Sequence, residues 1–231
     1  MASAQGMVKA SLAARRLPQR RILTDDVYET VKALVMDHAL APGAHLNIDA
    51  LARDLEVSQT PVREALARLE SDGLTVKQPL RGYTVAPLLD KDQFEHLFGL
   101  RFLLEPWAAS QAARRATPAD HAALEATFAL VTDVPAEGSY DAYRALTAHD
   151  ERFHALIHEL SGNTLLAPTF QRLHPHLHIF RLYYGKGIGA QAVDEHRCIL
   201  EAIQRGRAKA AEAAMRAHLT GSRDRLRPVF D

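Results

Sequence analysis

Asp150 and His154 stand four residues apart in AHDERFHALIHEL, and two further histidines, His196 and His218, fall in later stretches of similar apolar periodicity. At i and i+4 on a helix, the first two side chains share a face. His196 lines up with Ile199, Leu200 and Ile203, and His218 with Ala211, Ala214 and Met215, so three helices each turn an imidazole inward. One carboxylate with three imidazoles suits a borderline divalent ion such as Zn, Ni, Mn, Co or Fe, and leaves positions for water or an oxygen ligand. Zinc is the ion expected in protein as isolated. A single inward histidine is more often a hydrogen-bonded core residue than a ligand, so the convergence of four groups carries the metal expectation. His149, near the same stripe, is a rival ligand. His158 is placed further round toward solvent, and His174, His176 and His178 in HPHLH read as surface residues or as partners of the ligands.

Arg101 lies on the apolar row of Phe94, Leu97, Phe98, Leu104 and Ala108, which aims a guanidinium at the interior. A buried cation needs an anion. Glu105, one turn on, is one partner; a bound carboxylate is the other. Asn163 and Tyr183 are further pocket candidates, Asn163 reading equally well as a helix cap.

A second constellation lies earlier. In LARDLEVSQTPVREALARL, residues 51–69, Leu51, Ala52 and Leu55 make the face of a short helix, and Glu56-Val57-Ser58 is a sharp connection. Ser58 caps a second helix, Pro61 sits in its first turn, and Val62, Ala65, Leu66 and Leu69 bury one side. Gln59, Thr60 and Arg63 are left on the other side, long enough to reach base edges or phosphates. TVKQPLRGYTVAP, residues 75–87, follows as a β-hairpin with Arg81-Gly82 at its tip. Two helices at a tight angle plus a hairpin form a winged helix-turn-helix, which points to double-stranded DNA.

These motifs need elements to hold them. A first helix is expected over 24–40, capped by Thr24, followed by helices 47–56 and 58–72 and the hairpin 75–85. Beyond Asp90 the pattern is helical throughout, at 91–115, 118–133, 138–161, 164–184, 190–205 and 207–226, with Gly, Pro and Asn breakers between. The expected fold is mainly α: a basic, disordered tail over 1–21, a winged helix-turn-helix over 22–88 and an all-α bundle over 89–231.

The stretch VSQTPVREALARLESDGL, residues 57–74, resembles the signature of the GntR family of bacterial transcription regulators, and the Arg81-Gly82 wing is similar to that family's. The resemblance implies DNA contacts from Ser58, Gln59, Thr60, Arg63 and Gly82. Gln59 stands where Arg is common and Asp49 where many members carry a DNA-contacting Arg, so an operator of its own is expected. LRFLLEPWAA, AHDERFHALIHELSGN and EHRCILEAIQRGRAKAAEAAMRAHL look like the ligand-sensing helical domain of the FadR branch, the FCD type. That resemblance implies metal ligands at Asp150, His154, His196 and His218, and a small organic acid held by the metal and Arg101.

Composition narrows the classes. The chain has 231 residues, 47% of them hydrophobic, enough for packed cores. No apolar run approaches the roughly 20 residues of a membrane span, and there is no secretory leader, so a cytoplasmic protein is expected. The single cysteine, Cys198, excludes an internal disulfide. A net charge of zero is awkward for phosphate binding, but Lys9, Arg15, Arg16, Arg20 and Arg21 stand in a tail without acids, and Arg53, Arg63, Arg68, Lys77 and Arg81 lie in the module. The expectation is a homodimeric repressor, not an enzyme, that two small-acid-responsive halves hold on a palindromic operator. A metal-dependent hydrolase is the alternative, lacking an HExxH or an obvious general base. An architectural DNA binder with core histidines is a third.

Overall fold

The computed structural model describes residues 18–131, 140–182 and 189–231. The first helix, α1, runs Pro18–Met36. It begins six residues before the expected Thr24 cap, so residues 18–21, assigned to the tail, belong to it. The Thr24 hydroxyl instead donates to Glu64, 3.1 Å away. The helix stops earlier than expected, with His38 in a left-handed conformation at φ 56°.

Strand β1, His45–Leu46, was not expected; it pairs with β3, Gly82–Val85, which pairs with β2, Thr75–Gln78, in an antiparallel sheet of order β1-β3-β2. Between them lie α2, Ile48–Asp54, and α3, Gln59–Ser71. Asn47 caps α2 by accepting the Ala50 amide, 3.0 Å away. Ser58 is the N-cap of α3 by its extended backbone, but its hydroxyl makes no cap bond. Val62, Ala65, Leu66 and Leu69 are fully buried, and each large aliphatic among them contributes about 1.5–3 kcal/mol. That buried side fixes which side of α3 is left exposed.

The helical part contains α4 (Lys91–Arg115), α5 (Pro118–Ala126) with a 3-10 turn (Thr127–Leu130), α6 (Tyr140–Leu160), α7 (Leu166–Leu173), α8 (Pro175–Leu182), α9 (Gly189–Gln204), α10 (Ala208–Leu226) and a closing 3-10 turn (Arg227–Phe230). Capping boxes start α4 at Asp90 and Gln93 and α5 at Thr117 and Asp120. The single helix expected over 164–184 is two. His174 is left-handed, φ 41°, and Pro175, which disfavours helical backbone in the residue before it, opens α8.

Phe153, Ile157, Ile199, Ile203, Met215 and Leu219 fill the centre of the bundle. The core of the winged helix does not end at its own boundary: it runs on into Tyr140, Tyr143 and Leu146 of α6 and Leu177 and Phe180 of α8. Among the described residues, no helix is long and apolar enough to cross a membrane.

Candidate metal centre and DNA-reading face

Helix α6 brings Asp150 and His154 to one place, α9 adds His196 and α10 adds His218, with one ligand atom from each lying within 4.8 Å of the others. Nε2 of His196 is 3.3 Å from Nε2 of His154, 3.4 Å from Nε2 of His218 and 3.5 Å from Oδ1 of Asp150. All three rings are buried, while the Asp150 carboxylate is 28% exposed at the mouth. Burial pushes the His154 imidazole down to about 4 and His196 well below its ordinary value, so both rings are neutral.

The outer atoms decide which nitrogens keep their protons. The Thr127 carbonyl can only accept, so Nδ1 of His149, 3.1 Å away, donates to it. His149 then accepts at Nε2 from Nδ1 of His196 at 3.0 Å, which leaves Nε2 of His196 as a bare lone pair. Nδ1 of His218 donates to Glu195 at 2.8 Å, and Arg225 holds that carboxylate through two bonds of 2.6 and 2.9 Å. Nδ1 of His154 lies 2.6 Å from Glu105. In this tautomer pattern Nε2 of each of the three rings and the Asp150 carboxylate face one another, four donor atoms turned to one point. The separations of 3.3 and 3.4 Å match the roughly 3.3 Å between ligands of a tetrahedral ion bound at about 2.0–2.1 Å. The residues present fit a divalent metal, and the partners on the outer nitrogens are of the type that orients metal-bound histidines.

Arg101 is buried, and its Nε donates to Glu105 at 2.5 Å. The neighbouring glutamate is thus a partner within the chain. Burial opposes the charge on Glu105, but Arg101 and His154 outweigh it and hold the carboxyl well below the usual range. Arg101 also lines a pocket of about 560 Å³, including its open mouth, together with Asp150, His218, Thr147, Ser222 and Arg225.

Several expectations need correction. Asn163 is exposed and lies outside this pocket; its Oδ1 accepts the Leu165 amide at 3.1 Å, a turn-capping role. Tyr183 lies outside the described residues. His158 is buried rather than turned to solvent, its ring centroid 4.3 Å from that of Phe170. His149 orients a ligand candidate instead of joining the four. His176 hydrogen-bonds Oδ2 of Asp150 through Nδ1, as a partner of a ligand candidate, and Glu105, expected beside Arg101, also meets His154; Glu195 and Arg225 are the surroundings that sequence alone missed.

At the other end, Ser58, Gln59, Thr60, Arg63, Arg81 and Gly82 are all exposed. Arg63 donates to Gln59 at 3.1 Å, so the unusual glutamine braces the arginine one turn on. At the wing tip, Gly82 takes φ 82°, and the carbonyl of Arg81 receives a bond from His45 Nε2 at 2.8 Å. Arg68, counted toward the basic face, turns to α1 instead: it sits 3.8 Å from the centroid of Tyr28 and pairs with Asp25 at 2.7 Å.

Around the candidate metal centre, Glu105 is engaged by Arg101 and His154, and Glu195 by Arg225 and His218.

Comparison with known proteins is concordant along the chain. The model of bacterial regulatory proteins of the gntR family matches residues 23–85, and that of the FCD domain matches residues 96–221. A protein of Escherichia coli K12 whose name refers to regulation of the L-lactate dehydrogenase operon is 30% identical over 88% of this chain and 85% of its own. The regulator LutR of Bacillus subtilis is 29% identical over 86% of this chain and 98% of its own. The solved structure of McbR from Escherichia coli superposes with a TM-score of 0.63 at 23% identity, covering 90% of this chain and 99% of that one. A GntR regulator of Rhodococcus gives 0.64 at 18%, covering 88% and 96%. The FCD match alone spans more than half the residues, and the chain belongs to the GntR family of bacterial regulatory proteins, as a DNA-binding transcriptional regulator with an FCD domain.

Proposed function

We propose that the protein is a metal-containing repressor that acts in the cytoplasm as a homodimer and leaves its operator when a small carboxylic acid binds beside the metal. The observation that carries this reading is the cluster of Asp150, His154, His196 and His218, of which Asp150 and His218 line the pocket that also holds Arg101. Zinc is the ion to expect in purified protein, with Ni, Mn, Co or Fe as physiological candidates.

The charges explain why acid and metal belong together. Two guanidinium groups, Arg101 and Arg225, stand against three carboxylates, Asp150, Glu105 and Glu195, so with neutral imidazoles these side chains repel an anion. A divalent ion reverses that sign and supplies a Lewis-acidic partner for the carboxylate. Arg101 then orients the acid, and Thr147 and Ser222 offer hydroxyls to a polar substituent. The relative named for an L-lactate dehydrogenase operon makes small 2-hydroxy acids the first to try.

Ser58, Gln59, Thr60 and Arg63 would read the major groove, with Arg81 and Gly82 on the backbone beside it. A second copy is needed to read a useful length of sequence. Leu100, Leu103 and Trp107 form an exposed apolar row on α4, 42%, 74% and 43% exposed, that suits self-association.

Helix α8 links the two ends. His176, Ile179 and Phe180 line the pocket, while His174 bonds the Ser71 carbonyl at 2.8 Å and Arg181 donates to the Ala86 carbonyl at 2.6 Å. Those carbonyls close the recognition helix and the wing.

The test is operator binding by fluorescence anisotropy with metal-loaded and metal-stripped protein across a panel of small acids. Weakening of at least tenfold by one acid, in the loaded protein alone, is expected. No response to any acid with the metal site full would overturn the reading.

A further inference from the structure

His176 stands between two cavities. On one side is the pocket of Arg101, Asp150 and His218; on the other, a compartment of about 420 Å³, including its opening, enclosed by α6, α7 and α8. His176 lines both, its side chain only 10% exposed and its Nδ1 hydrogen-bonded to Asp150. The second compartment has apolar walls in Ala155, Phe170 and Leu177, with Glu151, Gln171 and His174 also in its lining. It is also lined by His158, which is 2% exposed and whose Nε2 is buried without a hydrogen-bond partner. A buried ring nitrogen left unpaired is a cost that a ligand's polar end can relieve. The rings of His154 and His158 are 6.4 Å apart between centroids, which puts both imidazoles within reach of one elongated ligand.

We propose that His176 sets the length of the effector: it closes the metal-side pocket against a compartment that would otherwise receive the chain of a longer monocarboxylate, with a terminal hydroxyl on His158. This rests on the acid-sensing reading above and adds to it the residue that keeps the acid short. The apolar walls favour methylene groups, and the neutral imidazole of His158 matches a hydroxyl, which both donates and accepts. Burial pushes the His158 imidazole down to about 3, consistent with a neutral partner.

Calorimetric dissociation constants of propanoate, butanoate, hexanoate and 6-hydroxyhexanoate with the zinc-loaded full chain and its variants test this. The parent is expected to prefer the two short acids. His176→Ala should tighten hexanoate at least tenfold relative to propanoate, and 6-hydroxyhexanoate further still. Adding His158→Leu should remove the gain from the hydroxyl while keeping the gain from chain length. Metal content is measured for each variant, and His176→Asn, smaller but still able to donate to Asp150, replaces the alanine if that one releases zinc. The same ratio of hexanoate to propanoate in parent and variant would overturn the proposal while leaving acid sensing intact. Parent and variants that bind none of the four would overturn the proposal, while acid sensing stands or falls on the anisotropy panel of small acids.

Discussion

Nδ1 of His196 donates to Nε2 of His149 across 3.0 Å, and through that bond the Thr127 carbonyl dictates which nitrogen of His196 faces the candidate metal centre. His149 touches none of the three inward-facing Nε2 atoms, yet it determines one of them. His149→Phe, which keeps the ring and loses the acceptor, should weaken metal binding about 10- to 100-fold. Competition against a chromophoric chelator measures it. Affinity equal to the parent's would mean that the outer hydrogen bond has no hold on the ligand.

Helix α3 supports a second expectation, because Gln59 holds Arg63 at 3.1 Å. Arg63→Ala should cost about 1–3 kcal/mol of operator binding if the guanidinium reads a base, and should relax discrimination at that position. Gln59→Ala should share part of the same loss. Arg81→Ala, at the wing, should weaken all DNA about equally and lower the salt slope by about one. Anisotropy titrations with cognate and scrambled duplexes at several salt concentrations separate the two kinds of contact.

Acid should destabilise the metal-free protein in a defined window. Burial, with Arg181 beside it, pushes His178 down to about 4, and burial pushes His158 to about 3, against an ordinary 6.5. The unfolded chain takes up these protons below about 6.5, whereas the folded chain refuses them until the lower values are reached. The stabilisation is therefore present above 6.5 and is lost as pH falls toward 4 for His178 and toward 3 for His158. Each group contributes a slope of at most about 1.4 kcal/mol per pH unit. Urea midpoints between pH 7 and pH 4 should fall, and less steeply in His178→Gln; a flat profile would contradict the burial of these rings.

Arg181 joins α8 to the end of the wing through the Ala86 carbonyl, 2.6 Å away. Arg181→Met should lower stability by about 1–3 kcal/mol, the cost of leaving a buried carbonyl without its donor. If α8 carries the signal, the variant should bind acid as before and respond to it less on DNA. Calorimetry for the acid and anisotropy for the operator, on one preparation, check both halves.

Helical periodicity made Asp150, His154, His196 and His218 legible, because each lies on the apolar side of a long regular helix. It made α4 legible to the residue at both ends. Partners that come from other helices left no local trace: His176 reaches Asp150 from 26 positions away, and Glu105 meets His154 from α4. His158 was misplaced because a wheel shows only its own helix, whereas α7 lays Phe170 over that side. β1, two residues long, is too short for any alternation to show. The break at His174 was readable in Pro175 but was outweighed by the apolar pattern on either side of it.

That break has a structural price. Eight residues are too few for a helix to persist in water unaided, since nucleation consumes most of what so short a ladder returns. Helix α8 therefore exists by the grip of its neighbours, the winged-helix module on one side and the pocket of Arg101 and Asp150 on the other. Its amides should exchange with solvent faster whenever either neighbour lets go, so that a disturbance at one end reaches the other as a change in whether the helix is folded at all.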